Sequence, residues 1–199
     1  MSEKIGILGG TFNPIHICHL MLGVYAKENF GLDRILVMPA GNPYLKEGQM
    51  ILPGEQRLSL CEKAIGNLEG FEASDHELKK EGKTYTWETM QELKEKDPDA
   101  TLYFIVGADC LQSFSSWVYP DRILANCELI AACRGDVTVE KARPWADNLE
   151  KKYGGTVHLM DFPAIEISST MIRDRIKDGK SIRFMVPESI EKEIVRLYK

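Results

Sequence analysis

Short, continuously apolar segments alternate with helical patterns along most of this chain, and that alternation constrains the fold more than any other feature. The apolar segments are rich in β-branched and aromatic residues and lie next to glycine, proline or polar residues, which is typical of buried strands. They cover residues 4–8, 34–38, 102–106, 128–133 and 156–160, with a weaker candidate at 71–73. Strands that are apolar throughout and alternate with helices predict an α/β domain on a parallel sheet.

The helical patterns between these strands carry their own end signals. Gly31 is a candidate C-cap, Asp97–Pro98 ends another pattern, and Pro187 fits the start of the last helix. The apolar stripes are Leu20 and Val24; Leu58, Cys61, Ile65 and Leu68; Trp87, Met90 and Leu93; and Ile190, Ile194, Leu197 and Tyr198. We therefore expect one domain over residues 1–199, built as a Rossmann-like, doubly wound parallel sheet with helices on both faces.

Charge and composition exclude several classes of partner. The net charge is -5 at pH 7, so the chain lacks the basic footprint of a general nucleic-acid or membrane-surface binder. It has no apolar run that would span a bilayer, no signal peptide at its start, and five scattered cysteines without C-x-x-C spacing. These features predict a cytoplasmic protein with reduced thiols that acts on small molecules, and they leave open whether it forms a homo-oligomer.

Three polar loops follow predicted strands and are candidates for a ligand site. Gly9–Gly10–Thr11 follows the first strand, residues 39–42 follow the second, and Gly107–Ala108–Asp109 follows the strand at 102–106. In open parallel sheets, ligands bind beyond the carboxyl ends of the strands, at the point where the strand order switches. We therefore expect the three loops to gather at one edge of the sheet and to form a ligand site there.

The stretch GGTFNPIHICHL, residues 9–20, places two histidines directly behind a glycine-rich turn. It is neither a G-x-G-x-x-G dinucleotide motif nor a P-loop. If a helix starts here, His16 and His19 share a face, where free N–H groups and the positive end of the helix dipole favour an anion. The spacing favours phosphate binding. A pair of core histidines and a metal site remain as alternatives, although His16, Cys18 and His19 cannot all face one direction on a helix.

A second stretch, EISSTMIRDRI at residues 166–176, has the pattern of another anion-binding helix start. Ser168, Ser169 and Thr170 are suited to the N-cap, and Arg173 lies about one turn inside the helix. An ordinary capped surface helix is the alternative. Lys46 lies in the polar loop after the second strand and Arg57 follows it, each with solvated surface charge as its alternative. Three cationic sites in an acidic chain favour a polyphosphate ligand.

Three motifs together resemble a known family. GGTFNPIHICH near the start, VGADCLQSFSSW at 106–117 and ISSTMIR at 167–173 resemble the bacterial nicotinate mononucleotide adenylyltransferases of the nucleotidyltransferase superfamily. The first and last motifs belong to the whole superfamily, and the middle one, with Asp109 and Trp117, points to the nicotinate branch. The resemblance implies transfer of AMP from ATP to nicotinate mononucleotide, giving deamido-NAD and pyrophosphate by direct in-line displacement within NAD biosynthesis.

The same resemblance implies roles for individual residues. His16, His19, Lys46 and Arg173 are expected to be catalytic, and Mg²⁺ is expected to accompany the ATP phosphates, with no metal ligands from the chain. The expected ATP contacts are Gly9, Gly10, Thr11, Phe12, His16, His19, Gly107, Asp109, Ile167, Ser168, Ser169, Thr170 and Arg173. The expected nicotinate mononucleotide contacts are Asn42, Lys46, Thr84, Tyr85, Thr86 and Trp117, with Trp117 stacking on the pyridine ring unless it is a core aromatic.

Two departures from the family pattern and two rival functions remain open at this stage. Cys18 stands where the superfamily usually has glycine, and a side chain there could crowd the nucleotide. The loop after the second strand has Pro43, Tyr44 and Leu45 before Lys46, where the family usually has proline and histidine before the lysine. The rival functions are adenylyl transfer to phosphopantetheine, which has no use for the tryptophan, and nucleotide binding without catalysis.

Overall fold

A single parallel sheet organises the chain. The structure, a computed structural model, describes residues 2–42, 50–66 and 68–199. Within these residues the sheet has six strands in the order β3-β2-β1-β4-β5-β6. The strands are β1 (Lys4–Gly10), β2 (Arg34–Pro39), β3 (Phe71–Ala73), β4 (Thr101–Gly107), β5 (Glu128–Cys133) and β6 (Val157–Asp161), and every neighbouring pair is parallel. The predicted α/β, doubly wound architecture is confirmed.

Helices cover both faces of this sheet. They are α1 (Ile17–Phe30), α2 (Gly54–Ile65), α3 (Thr86–Lys96), α4 (Cys110–Ser113), α5 (Pro120–Asn126), α6 (Val139–Tyr153), α7 (Ser169–Lys177) and α8 (Glu188–Tyr198). Buried residues of α1, α2, α7 and α8 form one core, and those of α3 to α6 form a second core. Successive strand residues alternate between the two, so that Leu8 enters the first core and Ile7 the second.

The strand predictions agree with the structure to within two residues at every end, and the short candidate at Phe71–Ala73 is confirmed as β3. Gly31 caps α1 in the left-handed conformation, with φ of 59°. Leu68 was wrongly assigned to the stripe of α2, because this helix ends at Ile65 and Leu68 is exposed. The helical patterns did not include α6, whose buried face consists largely of alanine and whose interior contains Pro144. Small residues and an internal proline weaken a periodic apolar signal.

The strand order places the switch point at β1. The chain runs from β1 outward through β2 to β3 and then returns to β4 on the other side of β1. In register, Ile7 pairs with Leu36 on β2 and with Phe104 on β4. The loops after these three strands therefore emerge side by side at the carboxyl edge, as expected. Within the described residues, no helix combines the length and the apolar character needed to cross a bilayer.

Candidate active site

A cavity of about 500 Å³ opens at this carboxyl edge. Its floor is formed by Ile7, Met38 and Phe104 from the three central strands, and its walls are mostly apolar. Its lining includes residues of the glycine-rich turn, of the segment after β2, of the start of α3 and of the middle motif, but none from the stretch 166–176. The predicted contacts among the lining residues are Gly9, Gly10, Thr11, Asn42, Thr84, Tyr85, Thr86 and Trp117. The structure thus brings together residues that are more than 100 positions apart in the sequence.

The glycine-rich turn has a tight local structure. A Cβ atom on Gly10 would lie only 2.8 Å from Cε1 of the Phe12 ring, so a larger residue would displace that ring. Phe12 itself is buried and has a φ of 47°, in the left-handed region that non-glycine residues rarely adopt. The turn is consequently held in one conformation by packing, with its backbone facing the cavity at Gly9 to Thr11.

The two histidines lie where this turn enters α1. His16 is the N-cap residue of α1, and its ring stacks on that of His19 with centroids 3.6 Å apart. The backbone N–H of His16 donates to Nδ1 of His19 over 3.2 Å. Because Nδ1 accepts this bond, the neutral His19 ring carries its proton on Nε2, which makes that nitrogen a donor. The predicted helix start and the shared face of the two histidines are confirmed.

His16 is buried, whereas His19 is half-buried. The His16 side chain is 4% exposed, and burial, assisted by the positive charge of Arg134, lowers its pKa to about 4. His16 is therefore neutral at physiological pH. The amino end of α1 and the guanidinium of Arg134 are sources of positive potential at this corner.

Arg173 joins the third motif to the first. Its Nη1 donates to the backbone oxygen of Asn13 over 2.8 Å, and its Nη2 donates to Thr170 Oγ1 over 3.1 Å. Two of its five N–H donors are thereby engaged, and the side chain is only half-buried. Arg173 thus lies beside the glycine-rich turn with further donors to offer.

The predicted hydroxyls at the start of α7 each have an internal role. Ser168 is the N-cap residue, and its Oγ accepts from the backbone N–H of Met171 over 3.1 Å. Ser169 Oγ donates to the backbone oxygen of Pro14 over 2.8 Å, and Thr170 Oγ1 accepts from Arg173. The bond from Ser169 to Pro14 and the bond from Arg173 to Asn13 attach α7 to the segment before α1, so that two helix amino ends and two histidines lie around one corner. We call His16, His19, Ser168–Thr170 and Arg173 the phosphate corner.

On the other side of the turn, α3 begins at the cavity wall. Tyr85 is its N-cap residue, and the Tyr85 side chain makes no capping hydrogen bond. The N–H groups of the first helical turn have no intrahelical acceptor, so they provide donors at the wall formed by Thr84, Tyr85 and Thr86. Helix α3 packs in the second core, whereas α1 and α7 pack in the first. We call the cavity lined by Thr84–Thr86 and Trp117 the acceptor pocket.

Trp117 lines the acceptor pocket opposite this helix start. It packs on Phe114 with ring centroids 5.1 Å apart and an interplanar angle of 29°, and it meets Phe104 edge-on at 6.2 Å. The side chain is half-buried, so it is supported by the core without being a fully buried core residue. A ring held in this way offers a flat surface to a planar ligand.

Several predicted residues lie outside this arrangement. Gly107 ends β4 and the exposed Asp109 follows it, at the same sheet edge but not among the residues that line the acceptor pocket. Ile167 packs against the first core, next to the start of α7. Lys46, together with Pro43, Tyr44 and Leu45, lies outside the described residues.

The alternative assigned to Arg57, a solvated surface charge, was wrong. Arg57 is 2% exposed and donates to the backbone oxygens of Leu52, Thr11 and Ala40 over 2.8 to 3.0 Å. Its guanidinium supports the loops and is not presented to a ligand. The sequence pattern gave no sign of this, because the accepting carbonyls come from three separate segments.

Two residues of this edge were absent from the predicted set. Asn13 is 2% exposed and connects distant segments: its Nδ2 donates to Met50 O over 2.8 Å, and its Oδ1 accepts from Leu52 N and from the hydroxyl of Tyr198. Arg134 follows β5, is exposed, and lies with Nη1 3.8 Å from Cys18 Sγ. Its position just after a neighbouring strand was the signal that could have identified it.

The cysteine that replaces the usual glycine is accommodated inside the protein. Cys18 is buried in the first core, where its Sγ lies 3.8 Å from the backbone oxygen of Ile165. Burial raises the pKa of its thiol, and the positive charge of Arg134 opposes that shift. All five cysteines belong to the described residues and are free, and four of them are buried. The side chain of Cys18 is thus packed as a small hydrophobic group.

The described residues contain no group of three or more His, Cys, Asp or Glu side chains placed to hold a metal ion. A metal at this site would therefore depend on oxygen atoms of a bound substrate for most of its ligands.

Comparisons with known proteins identify the family. The cytidylyltransferase-like family matches residues 7–175. A protein of Clostridium botulinum (strain Eklund 17B / Type B), named "Probable nicotinate-nucleotide adenylyltransferase", is 40% identical over 199 residues, covering 99% of this chain and 98% of that protein. A protein of the same name from Lachnoclostridium phytofermentans is 37% identical over 98% of this chain and 97% of its own.

Solved structures share the fold. The nicotinic acid mononucleotide adenylyltransferase of Plasmodium falciparum, solved with NaAD, superposes with a TM-score of 0.76 at 20% identity, covering 98% of this chain and 96% of that one. The same enzyme solved with APC superposes with the same TM-score. The fold, the arrangement of the three motifs and the full-length similarity to the bacterial relatives agree, and the chain belongs to the nicotinate-nucleotide adenylyltransferases of the cytidylyltransferase-like family.

Proposed function

We propose that the phosphate corner and the acceptor pocket together transfer AMP from ATP to nicotinate mononucleotide, within NAD biosynthesis. The observation that supports this most strongly is their junction at the glycine-rich turn. A mostly apolar pocket with an aromatic wall and a helix start lies on one side, and two stacked histidines with an arginine lie on the other. A flat, charged nucleotide and a polyphosphate would meet at this junction.

The reaction is a single displacement at phosphorus. An oxygen of the mononucleotide phosphate forms a bond to the α-phosphorus of ATP, the bond from that phosphorus to the bridging α–β oxygen breaks, and pyrophosphate leaves with the electron pair. The products are nicotinate adenine dinucleotide and pyrophosphate. Since the attacking phosphate is already ionised, the chain needs no strong general base. Its task is to hold two mutually repelling anions in line and to neutralise their charge.

The phosphate corner fits the ATP side of this reaction. We assign Nε2 of His19 as a donor to the phosphate that is transferred and His16 as a neutral donor beside it. Arg173 supplies a guanidinium that can bind two phosphate oxygens, and the amino ends of α1 and α7 add N–H groups. Gly9, Gly10, Thr11 and Phe12 would shape the ATP site, with Gly107, Asp109 and Ile167 on the adenosine side. Arg134 would contribute positive charge from the end of β5.

The acceptor pocket fits nicotinate mononucleotide. Trp117 would stack on the pyridine ring, and the first-turn amides of α3, which begin at Thr86, would donate to its carboxylate. Asn42 lines the pocket on the side of β2, and Lys46 belongs to the segment that follows it.

Mg²⁺ enters this proposal as part of the substrate. The described residues offer no cluster of metal ligands, so the ion would be held by ATP phosphate oxygens and would neutralise part of their charge. We also propose a cytoplasmic location, which is supported by five free thiols in a chain without disulfides among its described residues.

A single assay tests the proposed function. The purified chain is incubated with ATP and Mg²⁺ together with nicotinate mononucleotide, nicotinamide mononucleotide or 4′-phosphopantetheine, and pyrophosphate release is measured. We expect release that depends on nicotinate mononucleotide and a dinucleotide product. Release only with phosphopantetheine, or ATP binding without release with any acceptor, would contradict the assignment.

A further inference from the structure

A buried arginine connects the two sides of the acceptor pocket. Arg57 lies near the start of α2, and its guanidinium is engaged by backbone carbonyl oxygens. Its Nη1 donates to Thr11 in the glycine-rich turn over 2.9 Å, and its Nη2 donates to Ala40 in the segment after β2 over 2.8 Å. Thr11 and Ala40, whose carbonyl oxygens accept these hydrogen bonds, both line the pocket. One side chain therefore fixes the glycine-rich turn relative to the segment that leads to Asn42.

The backbone of the next residue, Gly41, is hydrogen-bonded on both sides. The carbonyl of Gly41 accepts from Arg57 Nη2 over 3.3 Å, and its N–H donates to Oε2 of Glu77 over 3.2 Å. A Cβ atom on Gly41 would overlap the backbone oxygen of Glu77 and lie 2.7 Å from Thr84 Cγ2. The segment after β2 is thus pressed directly against the segment that leads into α3, with no room for a side chain between them.

The same carboxylate then holds α3 itself. Oε1 of Glu77 accepts from the hydroxyl of Thr89 over 2.9 Å, and Thr89 is 1% exposed. Thr89 lies one turn beyond Thr86, and its backbone N–H donates to the oxygen of Tyr85 over 3.1 Å. Any movement of Thr89 therefore carries the first turn of α3 with it. Burial lowers the pKa of Arg57 and the negative charge of Glu77 acts in the opposite direction, so the two ends also support each other electrostatically.

We propose that Arg57, Glu77 and Thr89 form a positioning network that fixes the amino end of α3 against the segment after β2, and thereby sets the affinity for the acceptor nucleotide. This inference rests on the proposed function of the pocket. Glu77 and Thr89 also line the cavity, but the Glu77 carboxylate is engaged by Gly41 and Thr89, and none of the three side chains is assigned a contact with the reacting atoms. Their effect is to hold the donors of the helix start at the correct distance from Asn42 and from the glycine-rich turn.

The test uses two matched variants at one position. Thr89→Val keeps the shape of the side chain and removes the hydroxyl, whereas Thr89→Ser keeps the hydroxyl and removes a methyl group. We expect Thr89→Val to raise KM for nicotinate mononucleotide by about tenfold, the scale of one lost buried hydrogen bond. KM for ATP should change by less than about twofold, and Thr89→Ser should remain within about threefold of the wild type in both constants, since its hydrogen bond is retained.

A second pair guards against a variant that fails to fold. Glu77→Gln can still bridge Gly41 and Thr89, because its amide oxygen accepts from the peptide N–H and its NH₂ donates to the hydroxyl. Glu77→Ala cannot bridge them. Thermal unfolding is recorded for all four variants, and binding of nicotinate mononucleotide alone is measured by calorimetry. We expect weaker acceptor binding for Glu77→Ala than for Glu77→Gln.

Unchanged acceptor KM in Thr89→Val, or an equal rise in both Michaelis constants, would overturn the positioning role. So would equal acceptor affinities for the two Glu77 variants. These outcomes differ from a failure of the proposed function, in which the wild-type chain itself would release no pyrophosphate with nicotinate mononucleotide.

Discussion

The phosphate corner and the acceptor pocket are both built at the amino end of a helix, beside the same glycine-rich turn, yet they are chemically opposite. The corner lies with α1 and α7 on one face of the sheet and carries imidazoles and a guanidinium. The pocket lies with α3 on the other face, and its largely apolar lining includes threonine hydroxyls, a half-buried tryptophan and the hydrogen-bonded carboxylate of Glu77. The two regions meet at the glycine-rich turn.

This difference teaches how one sheet edge can serve two anionic substrates. Among the described residues, positive side-chain charge is concentrated where a polyphosphate must be neutralised, whereas the pocket relies on shape and backbone N–H donors. Changes in the corner should therefore affect the rate of transfer, and changes in the pocket should affect which acceptor binds and how tightly. Each prediction below tests this division of roles.

The largest expected effect comes from the corner. We expect His19→Ala to lower kcat by more than about 10²-fold, the scale of losing one donor to a transition-state charge. KM for nicotinate mononucleotide should change little, because His19 lies outside the pocket. Steady-state kinetics with each substrate varied in turn measures both constants.

His158→Ala serves as the matched control for this variant. His158 lies on β6, where its Nε2 is 2.6 Å from a carboxylate oxygen of Glu128, and it has no contact with the corner. It should retain wild-type kcat. A folded His19→Ala variant with wild-type turnover would remove the corner from the mechanism.

The second prediction concerns the protonation of His16 and its effect on the stability of the folded protein. Because the folded protein holds the pKa of His16 at about 4, below the value of about 6.5 for an exposed histidine, the unfolded chain binds a proton first as the pH falls. Stability linked to His16 is complete above about pH 6.5 and is lost between pH 6.5 and 4. We expect the free energy of unfolding to fall by about 2 kcal/mol from this source between pH 7 and pH 5.

Urea unfolding of the wild type and of His16→Asn at both pH values isolates this contribution, because the carboxylates titrate in both proteins. The wild type should lose about 2 kcal/mol more than the variant. An equal loss would mean that folding does not lower the pKa of His16, and the corner would then carry a protonated imidazole at pH 5.

A smaller effect is expected in the pocket. Trp117→Ala should raise KM for nicotinate mononucleotide by about tenfold, the scale of one lost ring-stacking interaction. KM for ATP should stay unchanged, and Trp117→Phe should recover much of the acceptor affinity because it keeps a flat ring. If KM for ATP rises together with that for the acceptor, the two regions are not separate in the way the comparison requires.

The smallest effect is expected at Cys18, which lies beneath the corner in the first core. Cys18→Gly and Cys18→Ala should both change kcat by less than about threefold, because the thiol packs as a small apolar group and takes no part in the chemistry. Circular dichroism establishes that the variants fold. A folded Cys18→Ala variant with strongly reduced kcat would instead show a direct role for the sulfur near Arg134.

Much of the fold could be predicted because the strands are apolar throughout and their ends carry clear turn signals. Even β3, with three residues, was correctly located. Helix α6 was missed because its buried face is built largely on the small residues Ala142 and Ala146 and because Pro144, a helix-breaking residue, lies inside it.

The residues of the site likewise divide into those that the sequence could predict and those that it could not. Thr86 was named only through the family resemblance, whereas Thr11 could be located from local chemistry because it directly follows an apolar strand. Asn13 and Arg57 could not, because their roles depend on backbone groups and a tyrosine hydroxyl brought together only by the complete fold. Tyr198 is 185 positions from Asn13, and no local pattern connects them.

The central claim is that N–H donors at the start of α3 read the carboxylate of the acceptor. A carboxylate only accepts hydrogen bonds, whereas the NH₂ of nicotinamide mononucleotide would face other donors. We expect a preference for nicotinate of about 2–4 kcal/mol, or roughly 30- to 1000-fold. Thr86→Pro sharpens the claim, since proline is tolerated at the first helical position and removes one of these N–H groups. It should reduce the preference without unfolding α3.

The most direct measurement is the ratio of kcat/KM for nicotinate mononucleotide to that for nicotinamide mononucleotide, at equal ATP and Mg²⁺, in the wild-type chain. The structure predicts a ratio of at least about 30, which corresponds to one charge-assisted hydrogen bond together with an unpaired amide in the competing substrate. A ratio near one, or one that favours the amide, would show that the Thr84–Thr86 wall does not recognise the carboxylate, and would contradict the assignment of the acceptor pocket.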